Sequence, residues 1–278
     1  MRRRGVGAHA LAASEARLDH NAYLRKTVIA VSQSGRSADL LTALDVLSPA
    51  TLIAVTNDSH SPLAERANLV LDVLAGPEEA VPASKSVTAS AAVLLWSASM
   101  LGGDEARCGN VLLETARTVA AWLDSPRCDQ VRKAAERIAR RAHVAVLGSD
   151  YGQAVAREIA LKLKEASYLH AEGFAAGEFR HGSVSMVDET FSVLGIVDRD
   201  ALATVGRPLK EVKQSGALCY VIGDEPVDEL ERLGPEVPVA YNTLAWLVTG
   251  QLLALYAGRS RGIDSDHPRG LTKAPVNE

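Results

Sequence analysis

The chain has 278 residues, 47% of them hydrophobic and 23% charged, with a formal net charge of -4; this is enough apolar material for two α/β domains of about 100–150 residues and lacks the basic excess of a nucleic-acid surface. The longest apolar runs, Val87 to Leu101 and Leu244 to Ala257, carry Ser, Thr or Gln and fall short of the ~20 residues that span a bilayer, so neither nucleic acid nor membrane is an expected partner. Cys108, Cys128 and Cys219 lack metal-ligand spacing and point to free thiols in a reducing cytoplasm, while Arg2-Arg3-Arg4 is not followed by the apolar core of a secretory signal.

In chain order, Gly7 to Ala13 and Thr27 to Val31 read as strands separated by a polar helical stretch around Ser14 to Tyr23. The second strand ends at Ser32-Gln33-Ser34-Gly35-Arg36-Ser37, and a helix with Leu40, Leu41 and Leu44 begins immediately after. Ligands of open α/β sheets bind beyond the carboxyl ends of strands, where N–H groups and hydroxyls meet a helix N-terminus, so a phosphate suits this turn. Serines before a helix equally serve as caps for its orphan N–H groups, and the residues alone leave both readings open. Thr51 to Val55 is the next strand, Asn57 to Pro62 a turn-rich loop, Leu63 to Ala67 a short helix and Leu69 to Leu74 a further strand closing on Ala75-Gly76-Pro77-Glu78-Glu79. Val81-Pro82-Ala83-Ser84-Lys85 then leads into an apolar helix ending at Leu101, for which Glu78 and Ser84 could simply mark the start.

Leu112 to Trp122 and Val131 to Ala142 are helical patterns broken at Asp124-Ser125-Pro126. The break predicts a first domain over 1–123, a connecting helix over 124–142, a second domain over 143–260 and a tail over 261–278. Val144 to Leu147 reads as a buried strand, and after Gly148-Ser149-Asp150 a helix runs from about Gln153 to Ser167, with apolar Val155, Ile159, Leu163 and Ala166 at three- and four-residue steps. At 100° per residue, Glu158, Lys162 and Glu165 share an arc roughly 90° from that stripe, at the border of the buried face, with Lys164 nearly opposite it. The trio suits a cleft wall, or else Glu158 and Lys162 are an ordinary i,i+4 pair worth about 0.2–0.5 kcal/mol. His170, Glu172, Glu178, Arg180 and His181 follow, threaded by Ala171, Gly173, Ala175, Ala176, Gly177 and Gly182, and read as a loop able to approach a ligand and move protons near neutral pH. Phe191 to Val197 and Leu218 to Ile222 read as strands, Pro208 to Gln214 as a helix, and Val237-Pro238-Val239 as the start of a run into the helix Leu244 to Ala257. The two halves read as repeats of one α/β unit. No GxGxxG spacing occurs, so a dinucleotide is not indicated, and no other cofactor or metal is expected.

The run ALKLKEASYLHAEGFAAGEFRHG, Ala160 to Gly182, resembles the second SIS (sugar isomerase) domain of the isomerase half of glucosamine-6-phosphate synthases, and Ser32-Gln33-Ser34-Gly35 resembles the phosphate loop of SIS domains. The tail resembles the family's DxDxPRxLxKxVxxE signature at Asp264, Asp266, Pro268, Arg269, Leu271, Lys273, Val276 and Glu278, although by composition alone it would pass for a disordered end. The resemblance implies an α/β fold of two tandem SIS domains, each a parallel sheet flanked by helices in flavodoxin-like layers. It implies that Ser32, Gln33, Ser34 and Ser37 hold a sugar phosphate and that Glu78 and Ser84 line the sugar site, with Ala83 standing where the synthases usually carry Ser. By the same resemblance Glu165 is the proton shuttle between C1 and C2, Lys162 and Glu158 are its neighbours, His181 is the ring-opening acid/base reaching into the other subunit of a homodimer, and Lys273 forms an imine with the ketose.

Two departures follow. SIS domains open with a strand and a long helix, whereas here the match begins near Gly5-Val6-Gly7, with Ala10 to Ala16 already resembling the second strand and the loop beyond it. A domain without its central strand would lose stability comparable to its whole ~5–15 kcal/mol, so the expectation is a start placed too late, or a fragment. Nor does the sequence contain a segment like the synthases' glutaminase domain, so glutamine hydrolysis is not expected of it. The implied function is an enzyme acting on an amino-sugar phosphate, interconverting glucosamine 6-phosphate and fructose 6-phosphate with ammonia released or added. The alternatives are an aldose-ketose phosphate isomerase, a fructosamine-phosphate deglycase, or a sugar-phosphate-binding protein without turnover.

Overall fold

The computed structural model describes residues 7–16, 25–101, 105–237 and 241–273. They pack as two compact units, one drawn from Met1–Glu79, Ala83–Cys108 and Thr272–Glu278, the other from Ala80–Pro82 and Gly109–Leu271. The change of unit thus falls near Cys108, inside a helix, rather than at Asp124.

The first unit contains α1 (Ala13–Ala16), β1 (Thr27–Val31), α2 (Ala38–Leu47), β2 (Thr51–Thr56), α3 (Pro62–Arg66), β3 (Leu69–Asp72) and α4 (Lys85–Met100). Its strands form a parallel sheet in the order β1-β2-β3, with Thr27 opposite Thr51 and Ile53 opposite Leu69. The β-branched and apolar runs TVIAV and TLIAVT supply the strands, and Ala30, Leu44, Leu47, Leu52, Ala54 and Leu63 form the core between sheet and helices. Helix α3 starts where Pro62 presets the first turn and the Ser61 hydroxyl accepts from the Ala64 N–H at 3.3 Å.

The strand expected over Gly7 to Ala13 is not formed: residues 7–12 are irregular and Ala13 opens α1. A strand needs a ladder partner for its N–H and C=O groups. Among the described residues β1 is the last strand on that side of the sheet, and the Ala12 N–H is instead taken by the Glu15 carboxylate at 3.2 Å.

The second unit holds most of α5 (Glu105–Leu123), then α6 (Cys128–Ile138), β4 (His143–Gly148), α7 (Tyr151–Ser167), β5 (His170–Ala175), α8 (Ala176–Phe179), β6 (Phe191–Val197), α9 (Arg207–Lys213), β7 (Leu218–Gly223), β8 (Glu231–Leu233) and α10 (Asn242–Ser260). Its five strands are all parallel, in the order β5-β4-β6-β7-β8, so the chain reverses its direction of travel across the sheet at β4. Strands β4, β6 and β7 are buried almost throughout, as a parallel sheet covered on both faces requires. Helix α10 lies against α7 without room for side chains at two points: a Cβ on Gly250 would stand 2.1 Å from Ile159 Cγ1, and one on Gly258 would stand 2.2 Å from the Ala166 carbonyl oxygen.

The stretch after α7, expected as a loop, is instead strand β5 followed directly by α8. Gly173 serves packing, because a Cβ there would fall 2.6 Å from the Cα of Arg157 on α7, whereas a Cβ on Gly177 or Gly182 would meet nothing within 4 Å.

Candidate functional site

The loop after β1 is a closed hydroxyl network. Ser32, 8% exposed, shares a 2.9 Å hydrogen bond with the Ser37 hydroxyl and accepts from the Gly35 N–H at 3.2 Å, while the Ser34 hydroxyl accepts from the Arg36 N–H at 3.3 Å. Gly35 takes φ +64°, and a Cβ there would lie 2.0 Å from the Ser61 hydroxyl oxygen, so only glycine lets the turn sit against the next loop. Ser37 occupies the N-cap position of α2, yet its hydroxyl makes no cap hydrogen bond to the helix. That hydroxyl braces the loop instead, and the capping alternative left open by the sequence does not describe this serine. In the first turn of α2, Asp39 accepts from the Leu40 N–H at 2.9 Å. The Gln33 carbonyl accepts from the Asn57 N–H at 3.0 Å and the Thr56 hydroxyl at 3.3 Å, and Arg36 pairs with Asp58 at 3.1 Å, tying this loop to the one after β2.

Glu78, 8% exposed, is an acceptor for the start of α4. Its carboxylate takes the Ser84 N–H and hydroxyl at 3.2 and 3.3 Å and the Ser86 N–H and hydroxyl at 2.7 and 2.6 Å. Burial alone would push its carboxyl up, but the hydrogen bonds from Ser86 and Ser84 outweigh it and hold the group below the usual 4.5. Sequence reasoning named Glu78 and Ser84, as helix-start residues or as lining the sugar site, but gave no sign of Ser86, whose side chain is fully buried in this cluster. Ser86 stands eight positions from Glu78, beyond the reach of any local spacing rule.

In the second unit, α7 displays the charged trio. Lys162 is 6% exposed; its ammonium lies 2.5 Å from Glu165 Oε2 and 3.6 Å from Glu158 Oε1, and each carboxylate side chain keeps 21% of its surface. This is not the solvated i,i+4 pair of an exposed helix face, since the cation is enclosed. Burial pushes the Glu158 carboxyl up; the Lys162 ammonium pulls it down and the Glu165 charge raises it again, for a net rise. Lys164 points to solvent.

His181 is exposed in the turn after α8, its N–H donating to the Glu178 carbonyl at 3.0 Å; among the described residues no hydrogen bond or ion pair joins it to the trio. The tail is anchored at the carboxyl end of α7. Ser265 donates to the Ala166 carbonyl at 2.9 Å, the Arg269 N–H donates to the Tyr168 hydroxyl at 2.6 Å, and the Arg269 guanidinium lies 4.5 Å from the Tyr168 ring centroid. Lys273, half-buried, packs with the first unit, while Val276 and Glu278 lie outside the described residues.

A cavity of about 290 Å³ in the second unit, lined by His143, His170, Glu172, Asp188 and Phe191 among others, opens where β4, β5 and β6 begin. That is the edge opposite the carboxyl ends at which parallel sheets bind ligands, so it is not assigned to the site.

The SIS domain profile matches residues 6–100 and 137–255. The glutamine–fructose-6-phosphate aminotransferase of Corynebacterium diphtheriae is 36% identical over 272 residues, which cover 90% of this chain and 43% of that protein. The chain thus spans less than half the length of this curated relative. In three dimensions it is similar to the C-terminal domain of glucosamine-fructose-6-phosphate aminotransferase from Francisella tularensis, with a TM-score of 0.81 at 23% identity covering 95% of this chain and 80% of the other. It is also similar to glucosamine-6-phosphate deaminase from Thermotoga maritima, with a TM-score of 0.75 at 24% identity covering 94% and 79%. With the profile covering most of both units and curated relatives above 30% identity, the chain belongs to the SIS domain family.

Proposed function

We propose that this chain binds a phosphorylated amino sugar and interconverts glucosamine 6-phosphate and water with fructose 6-phosphate and ammonia. The observation that carries the reading is the enclosed Lys162 ammonium fixed between the Glu165 and Glu158 carboxylates. Moving a proton between C1 and C2 of a sugar phosphate needs a positioned base, a task that a carboxylate held in one orientation suits. A neighbouring cation stabilises negative charge as it develops on the enediolate. Glu165 is assigned the proton transfer, Lys162 and Glu158 its orientation, His181 the ring opening and Lys273 the imine with the ketose carbonyl. The last role requires a population of free amine, which desolvation or a nearby positive charge would supply. The phosphate is assigned to Ser32, Gln33, Ser34 and Ser37, and the sugar side to the segment around Glu78 and Ser84. We further infer a homodimer in which His181 serves the partner's site, acting in a reducing compartment that keeps the three free cysteines as thiols. The names of the related aminotransferases and of the deaminase support the substrate class.

The test is to incubate the purified chain with glucosamine 6-phosphate, or with fructose 6-phosphate and ammonia, while following ammonia and hexose phosphate. Turnover should fall by about 10²–10⁴-fold in Glu165→Gln, the range of a positioned proton carrier. Tight binding without turnover by the wild-type chain would make it a sugar-phosphate-binding protein. Turnover confined to sugars without an amino group would make it a simple aldose-ketose isomerase.

A further inference from the structure

We propose that Asn57 is a positioning residue that locks the segment leading to Glu78 onto the Ser32–Ser37 loop, and so governs how tightly the sugar, as distinct from its phosphate, is held. The inference rests on the functional reading above for the ligand, but its geometry stands within the first unit. Asn57 follows β2 directly. Its N–H donates to the Gln33 carbonyl at 3.0 Å, fixing it to the proposed phosphate loop. Its side-chain oxygen accepts from the Ala75 N–H at 2.9 Å, and its amide nitrogen donates to the Gly76 carbonyl at 2.8 Å. Among the described contacts these two residues of chain are therefore held by one side chain that reproduces the donor and acceptor of a peptide group.

The segment needs such a tie. The hydrogen bond from the Val73 N–H to the Thr56 carbonyl, at 3.0 Å, is the last backbone rung joining β3's end to β2. Beyond it Leu74 and Gly76 take φ of 52° and 69°, turning the chain out of ladder geometry. Leu74 is 83% exposed, so apolar packing does not hold the turn. A Cβ on Gly76 would meet nothing within 4 Å, so the glycine answers to its backbone angle and not to crowding. Two residues later Glu78 gathers Ser84 and Ser86. The position of that cluster relative to the phosphate loop is thus set through the Asn57 amide. Aspartate would keep the acceptor but turn a carboxylate towards the Gly76 carbonyl; glutamine would carry the amide one methylene too far.

The experiment compares the wild-type chain with Asn57→Asp and Asn57→Ala, by calorimetric titration with glucosamine 6-phosphate and separately with inorganic phosphate, and by amide exchange over residues 73–78. Both variants should weaken glucosamine 6-phosphate binding by about ten-fold or more, the scale of losing hydrogen bonds in a partly buried network, while inorganic phosphate shifts by less than about two-fold. Exchange at Ala75 should accelerate in Asn57→Ala, which removes the acceptor of its N–H. If the two ligands lose affinity together, Asn57 merely supports the fold and the positioning role is overturned. Unchanged sugar-phosphate binding in Asn57→Asp, or wild-type Ala75 exchanging as fast as Ala75 of Asn57→Ala, overturns it too. A wild-type chain that binds phosphate but not the sugar phosphate overturns the function proposed above, and the ligand role of Asn57 with it, while the exchange result still decides whether the tie exists.

Discussion

The two units use the same local grammar, a parallel strand, a polar turn and a helix, but protect it differently. In the second, β4, β6 and β7 are buried almost end to end and α7 and α10 interlock through Gly250 and Gly258. In the first, only β2 approaches that burial; Thr27 and Val31 of β1 and Leu69 of β3 are exposed. Polar chemistry is distributed accordingly. The deeply packed unit encloses a cation, Lys162, between the Glu158 and Glu165 carboxylates, whereas the lightly packed unit relies on hydroxyls, backbone groups, the Glu78 carboxylate and the part-exposed Arg36–Asp58 pair. A buried cation needs a rigid surround to keep its partners in place, while a hydroxyl loop can close around an anion and be ordered by it. The first unit should therefore be the part that ligand binding stabilises more.

The largest expected effect is on the rigid side. Lys162→Ala leaves two part-buried carboxylates facing each other and should lower stability by about 3–4 kcal/mol in urea unfolding, near the cost of breaking a buried pair; a loss under about 1 kcal/mol would mean the trio is solvated. Glu78→Ala should cost about 3 kcal/mol by stranding the Ser84 and Ser86 donors. The loss should be read by the fluorescence of Trp96 on α4 before that of Trp246 on α10, and simultaneous unfolding of both probes would erase the contrast between the units. Because the Glu78 carboxyl is held below its ordinary 4.5, its contribution should be complete above that pH and fade as the pH falls through the lower folded value. An acid titration of the Trp96 signal in wild type, flattened in Glu78→Gln, checks the sign. Gly173→Ala must separate β5 from α7 and should cost about 2 kcal/mol, seen as a lower Tm. The smallest effect is chemical. Burial pushes the Cys219 thiol up to about 12, so under native conditions a thiol reagent at neutral pH should modify half-buried Cys108 well before it.

Much of this was legible beforehand where hydrophobic period and burial coincide. Strands β1, β2, β4, β6 and β7 and helices α4, α7 and α10 follow their apolar patterns to within a few residues, α5 begins seven residues before the pattern read at Leu112, and the wheel that put Lys162 at the border of the apolar stripe agrees with its enclosure. The failures have separate causes. Gly7 to Ala13 contains no Val, Ile, Thr, Tyr, Phe or Trp, and among the described residues it has no ladder partner. Strand β8, Glu231–Leu233, is three residues with two charges, too short for any period to register. The one glycine of β5, Gly173, looks identical in sequence whether it makes room for a ligand or for a helix, and only its distance to Arg157 decides. Asn57 carried no signal at all, because its partners at Ala75 and Gly76 are backbone groups without side-chain identity.

The anchoring of the tail to Tyr168 constrains how this chain can change length. Tyr168 closes α7 in a left-handed conformation, φ 52°, and its ring and hydroxyl receive Arg269. One residue inserted ahead of Tyr168, beyond Glu165, would rotate that ring by about 100° around the helix axis and carry it away from its docking partner. Indels in this helix should therefore be disfavoured even at solvent-facing positions, and lineages that do vary its length must re-route the whole terminal segment.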